Sequence, residues 1–229
     1  MTHETIIDIS ALERLPDEYP DALLPQIQDG LRETDYKIII LDDDPTGTQT
    51  AKDLPVLTSW SVEQLQEELE GIYPAFFILT NSRSLPQEQA VTLAEEIGTN
   101  IHAASERSGI RTVIISRSDS TLRGHFPAEV DANAKALGKG KLPYLIAPFF
   151  LEGGRYTIND IHYVQEGETL VPAALTPFAK DAAFGFSTSN LKEWVEEKTA
   201  GAIAAAQVSS VTIEDIRNGG PDRVAEVLK

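Results

Sequence analysis

The chain has 229 residues, 41% of them hydrophobic and 24% charged, which is the balance of a soluble globular protein with one large α/β domain or two small ones. A formal net charge of −17 repels nucleic acid and anionic membrane from most of the surface and excludes both as main partners. The lack of cysteine excludes disulfides and thiolate metal sites, and no apolar stretch approaches the roughly 20 residues that span a bilayer.

The first residues, MTHETIIDISALERLPDEYPD, carry neither the basic n-region nor the apolar h-region of a signal peptide, so a cytoplasmic location is expected. Residues 1–36 read as an N-terminal helical arm and residues 37–229 as one α/β domain. Short apolar runs bounded by turn residues follow: KIIIL (37–41), LPVLT (54–58), AFFILT (75–80), RTVIIS (111–116), LPYLIA (142–147) and VSSVTI (208–213). Four of them are nearly continuous in apolar character, as strands buried on both faces are. Helical spacing separates them. SVEQLQEELEGI (61–72) opens with a capping-box pattern, and residues 84–109 place Ser84 and Pro86 at the start of an amphipathic run. Residues 126–138, 189–206 and 219–229 read as further helices, and 148–190 as a long irregular excursion. Strand and helix alternate, which predicts a three-layer, doubly wound, mostly parallel sheet with helices on both faces.

In such sheets ligands bind outside the carboxyl ends of the strands. Those ends are polar here: Asp42, Asp43, Asp44, Pro45, Thr46 and Gly47 after the first run; Asn81 to Ser84 after AFFILT; Arg117 to His125 after RTVIIS; Glu152 to Arg155 beyond LPYLIA. One such loop alone is more often a helix cap. Four coinciding loops predict a site. Asp43 and Asp44 can accept hydrogen bonds from hydroxyls, bind Mg²⁺ or deprotonate an attacking hydroxyl. Arg83, Arg117 and Arg123 offer planar forks for a carboxylate or phosphate. Ser120 and Thr121 add short donors, and Gly47 and Gly124 permit close backbone approach. A small polyhydroxylated acid satisfies both halves of such a pocket.

Two families share parts of this pattern. Asp42-x-Asp44-x-Thr46 followed by Ile78-Leu79-Thr80-Asn81 resembles the first motifs of haloacid-dehalogenase-type phosphatases, which would make Asp42 the nucleophile, Asp44 the acid/base and Thr80 the phosphate-binding hydroxyl. The later lysine and Mg²⁺-binding acidic pair of those enzymes have no counterpart at the candidate strand ends, SRSDST and APFF. The wider resemblance is to the N-terminal, sugar-binding domain of the four-carbon acid sugar kinase family. It rests on Asp43-Asp44-Pro45-Thr46-Gly47, on Ser82-Arg83, on the signature Asp119-Ser120-Thr121-Leu122-Arg123-Gly124, on Pro148 to Arg155, and on Phe184 to Leu191 with Glu197 to Thr199.

That resemblance implies ATP-dependent phosphorylation of an acid sugar such as threonate, erythronate or 3-oxo-tetronate at its terminal hydroxyl. Asp43 and Asp44 would be catalytic. Thr46, Gly47, Arg83, Arg117, Ser118, Asp119, Ser120, Thr121, Arg123 and Arg155 would contact the substrate. Many family members have lysine where Arg117 or Ser118 stands. The family's C-terminal ATP-binding domain would begin where this chain ends, and no GxxxxGK[ST] loop occurs in it. ATP and Mg²⁺ are therefore expected as cofactors of a full-length enzyme, with no nucleotide or metal site in this chain, which alone would bind substrate and turn nothing over. Expected partners are the acid sugar, the nucleotide-binding domain and, through the face meant for that domain, a second copy of the chain. A non-catalytic acid-sugar sensor is the remaining alternative.

Overall fold

The structure, a computed structural model, describes residues 4–34, 36–47, 52–138 and 143–229. They form two compact units interleaved along the chain: Gln28–Asp119 with Gly124–Leu145, and Met1–Ile27 with Ser120–Arg123 and Ile146–Lys229. The stretch expected as one domain thus contributes to both units.

The first of these units is built on a parallel sheet of β2 (Tyr36–Asp42), β3 (Val56–Leu57), β4 (Ala75–Leu79) and β5 (Arg111–Arg117), in the order β3-β4-β2-β5. The pairing places Ile39 between Phe76 and Ile114, and Leu41 beside Ile78, on one face. Onto that face pack Leu65 and Leu69 of α2 (Val62–Glu70), Ile97, Ile101 and Ala104 of α3 (Gln87–Ser108), and Leu137 just past α4 (Ala128–Ala136). Ser61 and Gln64 close the predicted capping box on α2, and Gly109, at φ 69°, ends α3 in the left-handed conformation that glycine adopts without steric cost. The α/β class and the parallel sheet are as the sequence predicts. Helices α2 and α3, with Leu137 after α4, cover this face. On the other, Val113 and Ile115 remain 44% and 45% exposed.

The other unit carries an antiparallel sheet of β1 (Ile7–Asp8), β6 (Arg155–Ile158), β7 (Ile161–Glu166) and β8 (Thr169–Pro172), in the order β1-β8-β7-β6. This replaces the expected irregular excursion over 148–190. The missed signal is Asn159-Asp160, which turns β6 into β7 with both residues at positive φ, 50° and 67°, the requirement of a two-residue hairpin loop. The expected arm contributes β1, which pairs with β8, and Glu4, whose carboxylate accepts hydrogen bonds from Ser189 N and Ser189 Oγ.

Among the described residues two expected strands are absent; Leu142, the first residue of the run 142–147, lies outside them. Residues 143–147 form none, since Pro143 and Pro148 bracket a run too short to build a ladder without their N–H groups. Over 208–213, Thr212 instead caps α6 (Ile213–Arg217), accepting from Asp215 N at 3.1 Å. Helices α5 (Leu191–Lys198) and α7 (Gly220–Val227) fall inside predicted runs.

Because Phe76 is fully buried at the centre of the helix-covered face, Phe76→Ala is expected to cost about 3–5 kcal/mol in urea unfolding. A loss under about 1 kcal/mol would show that the core lies elsewhere.

Candidate functional site

Strand β2 ends in charge at the carboxyl edge of the sheet, where Asp42 is its last paired residue, in register with Leu79 and Arg117. Asp42 lies opposite Arg117 in the parallel register, and Arg117 Nη1 donates to Asp42 Oδ1 at 3.1 Å. Asp42 has no exposed surface. Burial pushes its carboxyl above the ordinary range, with Arg117 opposing the effect. Its carbonyl accepts from Thr80 N at 2.9 Å and Thr80 Oγ1 at 3.0 Å, which joins the ends of β2 and β4. Gly47 closes over this pair: a Cβ there would overlap Arg117 Nη1 and both Asp42 carboxyl oxygens.

Asp43 points to the opposite side of the strand and is 5% exposed. Ser118 Oγ donates to its Oδ2 at 2.5 Å, and Arg83 Nη2 lies 3.5 Å from its Oδ1. Burial raises the Asp43 carboxyl to about 6, more than Ser118 and Arg83 together lower it. Gly124, at φ 147°, leaves room for that serine, since a Cβ would strike Ser118 Oγ. Asp44 differs. Thr46 N and Thr46 Oγ1 both donate to its Oδ1, at 2.7 and 2.6 Å, and the Thr46 side chain is the main reason its carboxyl sits below the ordinary value.

Arg83 binds these groups together. Asn81, at φ 52°, starts the short 3-10 turn Ser82–Ser84, and Arg83 N donates to the Asp43 carbonyl at 3.2 Å. Its guanidinium pairs with Asp44, Asp43 and Asp119, the last at 3.5 Å through Nη1. Three carboxylates from two loops thus share one largely buried cation, an arrangement that holds hydrogen-bond acceptors in fixed positions at the sheet edge.

Of the residues predicted for the site, Asp43, Asp44, Thr46, Gly47, Arg83, Arg117, Ser118 and Asp119 come together here. Ser120, Thr121, Arg123 and Arg155 belong to the other unit. There Arg123 and Arg155 lie over the Phe178 ring, 5.0 and 5.6 Å from its centroid, and Arg123 pairs with Asp181 at 3.8 Å. His162, fully buried, contacts the Ser120 carbonyl through Nε2 at 2.7 Å. The complete burial of Asp42 leaves no surface from which it could attack a phosphate ester, which weighs against the phosphatase reading. Sequence reasoning missed Glu129, Asn133, Phe178 and Asp181. The first two were legible as polar residues spaced i, i+4 in FPAEVDANAKALG, a spacing that puts them on one helix face.

Two outcomes follow from these contacts. Because the native carboxyl of Asp43 keeps its proton up to about 6 against an ordinary 3.8, the stability it contributes is complete below about 4 and is lost as pH rises through 6. Asp43→Asn is therefore expected to raise Tm by a few degrees at pH 8, with the gain closing toward pH 4, in differential scanning calorimetry. Gly47→Ala is expected to dislodge Arg117 and leave Asp42 buried and unpaired, lowering stability in urea by more than about 1 kcal/mol; an unchanged midpoint would contradict the close approach.

The site lies within a recognisable family. A family model described as "Sugar-binding N-terminal domain" matches residues 38–229. Among solved structures, Haemophilus influenzae protein HI1011, of family DUF1537, superposes with a TM-score of 0.53 at 18% identity, over 83% of this chain and 44% of that one. A Salmonella typhimurium LT2 protein described as a "putative tRNA synthase" superposes with a TM-score of 0.48 at 17% identity, over 71% of this chain and 38% of that one. The chain thus spans less than half the length of either structure, and no curated protein matches it. At these identities the Haemophilus likeness is one of fold. Matched from Ile38, within β2, to Lys229, the chain belongs to the family of sugar-binding N-terminal domains, as its resemblance to that domain of the four-carbon acid sugar kinases implies.

Proposed function

We propose that this domain binds a small polyhydroxylated carboxylic acid of the four-carbon sugar-acid class. Acting with a nucleotide-binding domain, it presents the terminal hydroxyl of that acid for phosphoryl transfer. The observation that carries the reading is the Arg83 guanidinium held between Asp43, Asp44 and Asp119 at the carboxyl edge of a parallel sheet.

The roles follow from environment. Asp44, held ionised by Thr46, and Asp119 accept hydrogen bonds from substrate hydroxyls. Asp43, whose proton is balanced near neutral pH, takes the proton of the attacking hydroxyl. Arg117, with 39% of its side chain exposed, offers donors to the substrate carboxylate, and Ser118, which donates to Asp43, holds that carboxyl in place. In this reading ATP brings the phosphoryl group, and positioning with charge stabilisation supplies most of the rate. Among the described residues no three His, Asp or Glu side chains converge as cation ligands, and Asp43, Asp44 and Asp119 are already engaged by Arg83. These residues do not fit a resident Mg²⁺.

The test is a thermal-shift and calorimetric screen of threonate, erythronate and their uncharged polyols against the chain and its Arg83→Ala variant. A ligand at 100 times its Kd stabilises the native state by about 2.7 kcal/mol, so a shift of several degrees is expected with a sugar acid, less with the polyol and none with the variant. No response to any sugar acid would overturn the reading.

A further inference from the structure

Behind Asp43, inside the same unit, lies a cavity lined on one side by Leu41, Leu93, Ala94 and Ile97 and on the other by Asp43, Glu129, Asn133, Thr80, Ser82 and Ser116. Its volume is about 10 Å³, room for roughly one water molecule. Asp43 Oδ1 and Asn133 Oδ1 are both buried and accept no hydrogen bond from the protein, and Asn133 is only 7% exposed. Asn133 Oδ1 without a donor and Asp43 Oδ1 with only the Arg83 guanidinium at 3.5 Å, on a polar water-sized cavity, match the two O–H groups of a single water. Glu129 completes the lining with a second carboxyl, which places two carboxyls on one water-sized cavity.

We propose that Asp43 and Glu129 hold one proton between them across this cavity, joined by a water that also hydrogen-bonds Asn133, so that Glu129 acts as the proton partner of Asp43. The inference deepens the proposed function and rests on it for its catalytic meaning. With the shared proton on Glu129, Asp43 is the ionised partner and takes the proton of the substrate hydroxyl as its oxygen bonds to the terminal phosphorus of a nucleoside triphosphate and the P–O bond to the leaving nucleoside diphosphate breaks. Both carboxyls are then neutral, and release of one proton to solvent restores the singly protonated pair. Glu129 touches no substrate and is a positioning residue in this scheme.

The surroundings agree. Burial raises both carboxyls, and the charge of Glu129 raises Asp43 further. Asp43 is also faced by Asp42, which raises it, and by Arg83, which lowers it and is shared with Asp44 and Asp119. Glu129 is lowered by a hydrogen bond to Ser82 and by His125. His125 Nε2 lies 3.2 Å from the Ser82 carbonyl and 3.0 Å from that of Leu85; both are acceptors, so this nitrogen carries the proton.

The experiment is a carbon-13 NMR titration of side-chain carboxyls in the 229-residue chain without sugar, for wild type, Glu129→Gln and Asp43→Asn. Sharing of one proton requires reciprocal coupling. The Asp43 midpoint should fall in Glu129→Gln by at least about half a pH unit, about three-fold in proton affinity, and the Glu129 midpoint should fall by a matching amount in Asp43→Asn. Glutamine keeps the shape of the side chain, so a purely structural role would leave the Asp43 midpoint in place. Independent midpoints in either variant would overturn the pair. Because the titration contains no ligand, its failure is distinguishable from a failure of sugar acids to bind.

Discussion

The site depends on how negative charge is compensated at the carboxyl edge of the parallel sheet. Three consecutive aspartates in a chain of net charge −17 would repel one another and resist burial. Two guanidiniums prevent this by dividing the charge. Arg117 lies beneath the strand end and neutralises Asp42, while Arg83 reaches over it and binds Asp43, Asp44 and Asp119. Asp42, the last residue of the strand, turns to Arg117, while the bend that follows brings both Asp43 and Asp44 to Arg83.

The same division explains why adjacent carboxyls have unlike proton affinities. Asp44 accepts two short hydrogen bonds from Thr46 and remains easily ionised. Asp43, one residue earlier, is buried above a small cavity, and burial dominates its two favourable partners. Neighbouring titratable groups pushed in opposite directions are the usual arrangement of acid/base sites. Here burial at Asp43 and the Thr46 hydrogen bonds at Asp44 produce the separation, while Gly47 and Gly124 allow the backbone close enough for Arg117 to reach Asp42 and Ser118 to reach Asp43.

Much of this was legible in the chain. Apolar runs ending abruptly in Asp, Ser and Arg located the carboxyl edge, since in a parallel sheet these ends converge. The capping box at Ser61 and the glycine at 109 marked helix boundaries by local hydrogen bonding and φ preference alone. Motifs shared with the acid sugar kinases selected Arg83 and Asp119 from many polar residues. The antiparallel sheet was not legible from composition: its strands are short and interrupted by turn residues, and only the Asn159-Asp160 pair carried a conformational signal. Nor did residues 143–147 and 208–213 become strands, because apolar content says nothing about whether a partner edge exists or whether a threonine will cap a helix instead.

By itself the sequence determined the α/β class, the positions of β2, β4, β5 and the long helix α3, and the residue types delivered to the sheet edge. Each of these follows from local periodicity and from the end of an apolar run. The tertiary structure alone decided that Arg83 would join three aspartates, that Ser120 to Arg123 would leave the unit holding Asp119, and that Glu129 would face Asp43 across a water-sized cavity. Those outcomes depend on contacts between residues distant in the chain, and on burial, which no single stretch of sequence encodes.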